Sequence, residues 1–236
     1  MSNWFLRGVM SGIRTESIPD GDVAESLSPG LPVTTNCEGG CARDVAAACP
    51  TGAIEATAHA AHVDETRCVL CMRCKDALTW RHDVHWGHPT AAHKGEPLDR
   101  RFRQSLHVRI VDAGDCGSCL NELAQMNGPL YNLHRFGIFI TPTPRQADVL
   151  LVVGPATRQM HDALRAAYDA MPEPKRVVAV GACAASGGIF GPSVMSAAGV
   201  SDVIPVDIVV PGCPPPPLAI VDALRLTCGQ LEVKRT

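Results

Sequence analysis

The sequence predicts an α/β fold, a parallel sheet covered on both faces by helices, with a small cysteine-rich module ahead of it. Three observations carry that prediction. From Ser105 onward, short and nearly continuous Val/Ile runs alternate with helical stretches, the pattern of strands buried on both faces. From Asn36 to about Thr79 the chain is instead dense in cysteine, with little apolar periodicity. Finally, three of the apolar runs each lead into a cysteine: Leu106 to Asp112 into Cys116, Arg176 to Val180 into Cys183, and Val206 to Val210 into Cys213-Pro214. Ligands of open parallel sheets collect outside the carboxyl ends of the strands. Cys116, Cys119, Cys183 and Cys213 are therefore expected to meet in one four-thiolate site.

Taken in order, Trp4 to Ile13 is a short amphipathic piece, read as a docking helix for a partner, and a polar Pro/Gly/Ser segment follows through Pro29. The cysteine-rich stretch is too small to fold on a core of its own and is expected to need bound metal. Trp80 to Arg103 is a connector. It holds His82, His85, His88 and His93, but Pro89, Gly95 and Pro97 break any helix that would align them, so a solvated linker is expected. Arg100, Arg101 and Arg103 around Phe102 read as a solvated face. The sheet region should place strands at Leu106 to Val111, Gly137 to Thr141, Val149 to Val153, Arg176 to Val180 and Val203 to Val210. Helices are expected at Leu120 to Met126, Thr157 to Met171 and Leu218 to Cys228. The division is residues 1–79 as the cysteine-rich module, 80–104 as linker and 105–236 as the α/β domain.

Composition narrows the function. The chain of 236 residues carries a formal charge of −3, and no basic stripe interleaved with aromatics appears, which argues against nucleic acid as a partner. No window holds the ~18 consecutive apolar residues of a membrane span, and the start lacks the pattern of a signal peptide. A cytoplasmic chain is expected. Eleven cysteines in such a compartment are better read as metal ligands than as disulfides.

Bacterial ferredoxins carry C-x2-C-x2-C-x3-C-P twice, and the fourth cysteine of each run ligates the cluster of the other. Here Cys49-Pro50 closes a first run whose three leading positions are Gly39, Ala42 and Val45. The second run opens with Cys68, Cys71 and Cys74, and its fourth position is Leu78. Crossed ligation therefore leaves one cluster with four cysteines, Cys49, Cys68, Cys71 and Cys74, and the other with none. Scattered drift would not respect that partition, so one 4Fe–4S cluster is expected. Zinc, which also uses four cysteines in CxxC pairs, is the alternative. Cys37 and Cys41 are out of register and are read as free thiols or a remnant.

The spacing of Cys116, Cys119, Cys183 and Cys213 by itself leaves zinc and iron–sulfur equally open. The surrounding residues resemble a known family. Asp115 to Glu122, Phe136-Gly137-Ile138 through Pro144 to Leu151, Gly181 to Phe190, and Val209 to Pro215 are similar to the small subunit of membrane-bound, energy-converting (group 4) nickel–iron hydrogenases, formate hydrogenlyase among them. The corresponding complex I subunit is related, but it carries adjacent cysteines where this chain has Cys116-Gly117-Ser118-Cys119. The N-terminal third resembles the ferredoxin-like subunit of formate hydrogenlyase.

The resemblance implies a flavodoxin-like domain in which Cys116, Cys119, Cys183 and Cys213 hold a proximal 4Fe–4S cluster. It also implies that Glu122 lies at the interface with a large subunit, in a proton-transfer or quinone role; a helix-start acid favoured by the macrodipole is the plainer reading. Gly187 and Gly188 are expected to allow close backbone approach, and Cys228 to be a buried small hydrophobe. The expected function is an electron relay through two 4Fe–4S clusters to the nickel–iron site of a partner large subunit, within a complex on the cytoplasmic side of a membrane. A ferredoxin or another electron-carrier subunit is a further expected partner. The alternatives are a complex I-like relay to quinone or to a nickel-free large subunit and, in another class, a zinc-stabilised interaction module.

Overall fold

A computed structural model describes residues 3–12, 30–36, 41–82 and 97–231. After helix α1 (Trp4–Ser11), the N-terminal module comprises β1 (Leu31–Pro32), β2 (Thr35–Asn36), α2 (Cys41–Ala48), β3 (Ile54–Ala56), β4 (Ala60–Val63) and β5 (Trp80–Arg81). Strands β2, β4 and β3 form an antiparallel sheet in that order, and β1 pairs with β5. Trp80 and Arg81, at the start of the connector read from sequence, form β5 against β1: a two-residue strand has no period for a pattern to reveal. His85, His88 and His93 lie outside the described residues.

The α/β domain follows as β6 (Leu106–Asp112), α3 (Ser118–Gln125), β7 (Ile138–Ile140), β8 (Val149–Val153), α4 (His161–Asp169), β9 (Arg176–Val180), α5 (Gly181–Ser186), β10 (Ile208–Val210) and α6 (Pro217–Thr227). Its five strands are all parallel in the order β10-β9-β8-β6-β7. That is the flavodoxin-like order, with the switch point between β6 and β8. Strand alternation builds two cores. Val149, Leu151 and Val153 of β8 join Val178 and Val180 of β9 against α3 and α6. Leu150, Val152, Val177 and Ala179 point the other way, against α4 and α5. Because both faces are covered, the strands read as unbroken apolar runs.

The last strand is shorter than the apolar run Val203 to Val210 suggests. Val200–Asp202 forms a 3-10 turn, Pro205 has no N–H to offer a ladder, and pairing begins at Ile208. The expected helix from Thr157 likewise opens as a 3-10 turn, Arg158–Met160, before α4. The end of the connector is fastened down: Leu98 is buried against α6, and its N–H donates to the Thr227 carbonyl at 2.8 Å. Among the described residues no helix is long and apolar enough to cross a membrane.

Candidate metal centres

The loop after β6 is built by two aspartates. Asp112, the last strand residue, accepts from the N–H groups of Gly114 at 2.9 Å and Asp115 at 2.7 Å. Asp115 in turn accepts from Gly117 at 2.9 Å and Leu120 at 3.2 Å, which starts α3 and sets Cys116 before it and Cys119 in its first turn. Two strands away, at the end of β9, Gly181 turns directly into α5, and the Ala182 N–H donates to the Gly212 carbonyl at 2.8 Å. That bond ties the loop of Cys183 to the loop of Cys213.

Two glycines make room for sulfur. A Cβ on Gly181 would stand 2.8 Å from the Cys119 Sγ, and one on Gly188 2.8 Å from the Cys183 Sγ. Both glycines also have positive φ, 86° and 56°, so a side chain there is disfavoured twice over.

The four thiols share one electrostatic site. Burial pushes Cys119 far above the ordinary thiol range, and the charges of Asp115, Cys183, Cys213 and Cys116 add to it. Burial likewise lifts Cys183 to about 11, reinforced by Cys213, Cys116 and Asp115. Cys213 is raised by burial and then by Cys116 and Asp115. Crowded, half-desolvated thiols of this kind hold their protons until a cation arrives to replace them. An all-sulfur donor set excludes hard cations and suits zinc or an iron–sulfur cluster.

The N-terminal quartet has the same character. Cys49 follows α2 directly; burial raises its pKa, but hydrogen bonds from Thr51, Ala53 and Ile54 outweigh this and lower it. The Ala53 N–H donates to its Sγ at 3.3 Å. Burial brings Cys68 up to about 11, a backbone bond from Leu70 opposes this, and the charges of Cys74, Cys71 and Cys49 reinforce it. Cys74 is raised by burial and by Cys71 and Cys49. Leu70 and Met72, with φ of 54° and 60°, take the left-handed conformation on either side of Cys71, a strain that persists only where the surroundings impose it.

Three of the four positions that crossed ligation assigns to a second ferredoxin cluster also meet in space; the fourth, Gly39, lies outside the described residues. Ala42 and Leu78 are buried together with Val45 packed against them, and Trp80 closes the same apolar group. Hydrophobic side chains stand at these three positions, and Cys49 and Cys74 belong to the same group. Among the described residues, no three His, Cys, Asp or Glu side chains converge as ligands of a single metal ion would.

Other predicted residues lie elsewhere. Glu122 is half-buried on α3, and burial raises its pKa; its charge and burial together raise that of Tyr131. Cys228 is buried in the core at the end of α6. Cys41 is the first residue of α2, and Cys37 lies outside the described residues. Sequence reading missed Asp112, Gly181 and Trp80. An aspartate at a strand end followed by Ala-Gly-Asp is itself a turn signature, so the first could have been found.

Comparison with known proteins places this geometry. Residues 116–227 match the family model of the NADH ubiquinone oxidoreductase 20 kDa subunit. A probable membrane-bound hydrogenase subunit, mbhJ, of Pyrococcus furiosus is 40% identical over 141 residues, covering 57% of this chain and 84% of that one. The chain belongs to the NADH ubiquinone oxidoreductase 20 kDa subunit family. Formate hydrogenlyase subunit 7 of Escherichia coli is 39% identical over 137 residues, 58% of this chain and 54% of that protein, so this member spans about half the length of that relative. Among solved structures, the chain is similar to one in an archaeal membrane-bound sulfane sulfur reductase, with a TM-score of 0.50 and 31% identity over 60% of this chain and 78% of that one. Subunits of this family serve oxidoreductase complexes. The matched region of this 20 kDa-type subunit begins at Cys116 and takes in Cys119, Cys183 and Cys213.

Proposed function

We propose that the chain is the electron-transfer subunit of a membrane-associated hydrogenase. In this reading Cys49, Cys68, Cys71 and Cys74 hold one 4Fe–4S cluster and Cys116, Cys119, Cys183 and Cys213 hold a second. The observation that carries it is the Cys119 thiol, buried and surrounded by the charges of Cys116, Cys183 and Cys213 at the carboxyl ends of three strands. Clusters so held supply one-electron redox chemistry without making or breaking substrate bonds. The protein's own part is to deprotonate eight thiols on assembly, hold them on short rigid loops, and exclude water with the apolar faces behind them. Substrate chemistry then belongs to a partner large subunit holding nickel and iron, and Glu122 faces that partner as an interface or proton-transfer group. The complex would sit on the cytoplasmic side of the membrane through its other subunits.

A second reading keeps the relay and ends it at quinone or at a large subunit without nickel, which the family membership equally supports. Anaerobic purification with copurifying subunits, followed by counts of iron, acid-labile sulfide, zinc and nickel, separates these. About eight irons per chain, from two four-iron clusters, with about one nickel in the complex, are expected. The same iron without nickel selects the quinone reading. Zinc in place of iron would end the electron-transfer proposal. Cys183→Ser should remove the C-terminal cluster and with it the complex's activity.

A further inference from the structure

We propose that the contact between Thr66 and Ser186 is the electronic junction between the two cysteine quartets, crossed directly without a further carrier; this rests on the reading that both quartets hold clusters. The 3-10 turn Glu65–Arg67 packs against α5. The Ser186 hydroxyl stands between two carbonyl acceptors, Ala182 of its own helix at 3.0 Å and Thr66 of the turn at 3.3 Å, and shares its one proton between them.

Each partner in this contact sits beside a ligand. Cys68 caps the turn, its N–H bonded to the Glu65 carbonyl at 3.3 Å. Cys183 lies one helical turn before Ser186 on α5.

Both sides of the contact are held in place. The Asp64 carboxylate accepts from the Thr66 N–H at 3.0 Å and from its hydroxyl at 2.6 Å. On the other side, α5 ends where the Gly187 N–H donates to the Cys183 carbonyl at 2.9 Å, and Gly188 lies against the Cys183 Sγ. A backbone carbonyl and a hydroxyl thus join two ligand-bearing elements from opposite ends of the sequence.

Nothing else among the described residues offers a stepping stone. Of the described cysteines, eight are assigned to the two quartets, Cys228 is buried in the core of the α/β domain, and Cys41 opens α2. Of the positions where crossed ligation would seat another cluster, the described ones hold Ala42, Val45 and Leu78. One electron crosses the contact at a time. The donor site is oxidised by one electron and the acceptor site reduced by one, no bond forms or breaks, and no proton need move.

The full chain reduced with dithionite should show, by electron paramagnetic resonance, two reduced centres whose spectra are split or broadened by each other. Ser186→Tyr, which drives a ring between the turn and α5, should remove that interaction while iron stays near eight per chain, two four-iron clusters. Ser186→Ala keeps the packing and loses the hydroxyl; the interaction should persist, and the rate of electron passage after pulsed reduction of one site should fall severalfold. An unchanged rate in Ser186→Ala would overturn the junction. So would eight irons with two non-interacting spectra in the unaltered chain. About four irons per chain would instead overturn the two-cluster reading. If Ser186→Tyr loses iron, the Ser186→Ala rate decides.

Discussion

The C-terminal site depends most on residues with no metal-binding chemistry of their own. Gly181 is the sharpest case, since a Cβ there would press on the Cys119 Sγ at 2.8 Å while the residue holds a φ of 86°. Gly181→Ala should therefore cost about 1–2 kcal/mol from the left-handed backbone alone and displace Cys119 besides. A lower melting temperature and a loss of iron and acid-labile sulfide confined to the C-terminal site are expected. Glu122 allows a test that titration can read. Its folded pKa is raised by burial, so the protonated carboxyl stabilises the fold below the unfolded value, and that contribution is lost as pH rises through the folded pKa. Glu122→Gln should melt with the unaltered protein at acidic pH and above it near neutrality. An identical offset at both pH values would show that the carboxyl is not desolvated in the fold. The cysteines could be grouped from sequence because thiolates are the usual ligands of soft metal centres and stand out by residue type. Gly181 was not, because the need for a missing side chain appears only when another loop is brought against it.

At the scale of elements, the sheet uses one device twice. Asp148 and Asp207 each stand one residue before a strand, β8 and β10, and each carboxylate accepts the N–H of the neighbouring strand's early residue. His107 donates to Asp148 and Val177 donates to Asp207, both at 2.8 Å. The side chain of an aspartate thus supplies an acceptor where the parallel ladder begins. Asp207→Ala leaves the N–H of the fully buried Val177 without that acceptor, which costs about 1–3 kcal/mol. The expected result is a lower melting temperature with both iron sites still loaded, since neither quartet touches this end of the sheet. The same detail explains where strand prediction overran. Val203 and Val206 carry the apolar pattern but pack as a turn, because Pro205 cannot donate and the carboxylate of Asp207 takes the place of ladder pairing. Val149 to Val153 and Arg176 to Val180, by contrast, form strands with the predicted limits, since nothing in those runs competes with pairing.

At the scale of the molecule, the chain is two cysteine sites carried on unlike supports, one on a parallel sheet and one on a module barely large enough for a core. Periodicity locates the first support, whereas the second rests on ligand register, argued from what is missing. Positions 39, 42, 45 and 78 are grouped solely by the crossed-ligation rule, and Gly39 lies outside the described residues. Ala42, Val45 and Leu78 pack in one apolar group with Trp80. That convergence makes the register itself testable. If Cys49 belongs with Cys68, Cys71 and Cys74, then Cys49→Ser should cut iron to about half, one four-iron cluster, and leave the C-terminal signal untouched. Cys37 stands outside the register, so Cys37→Ser should retain all the iron of the unaltered chain. Iron loss in Cys37→Ser with full retention in Cys49→Ser would mean that the chain enters its first site through a different cysteine. The apolar group around Trp80 would then have to be explained as ordinary core rather than as the filled remains of a second site.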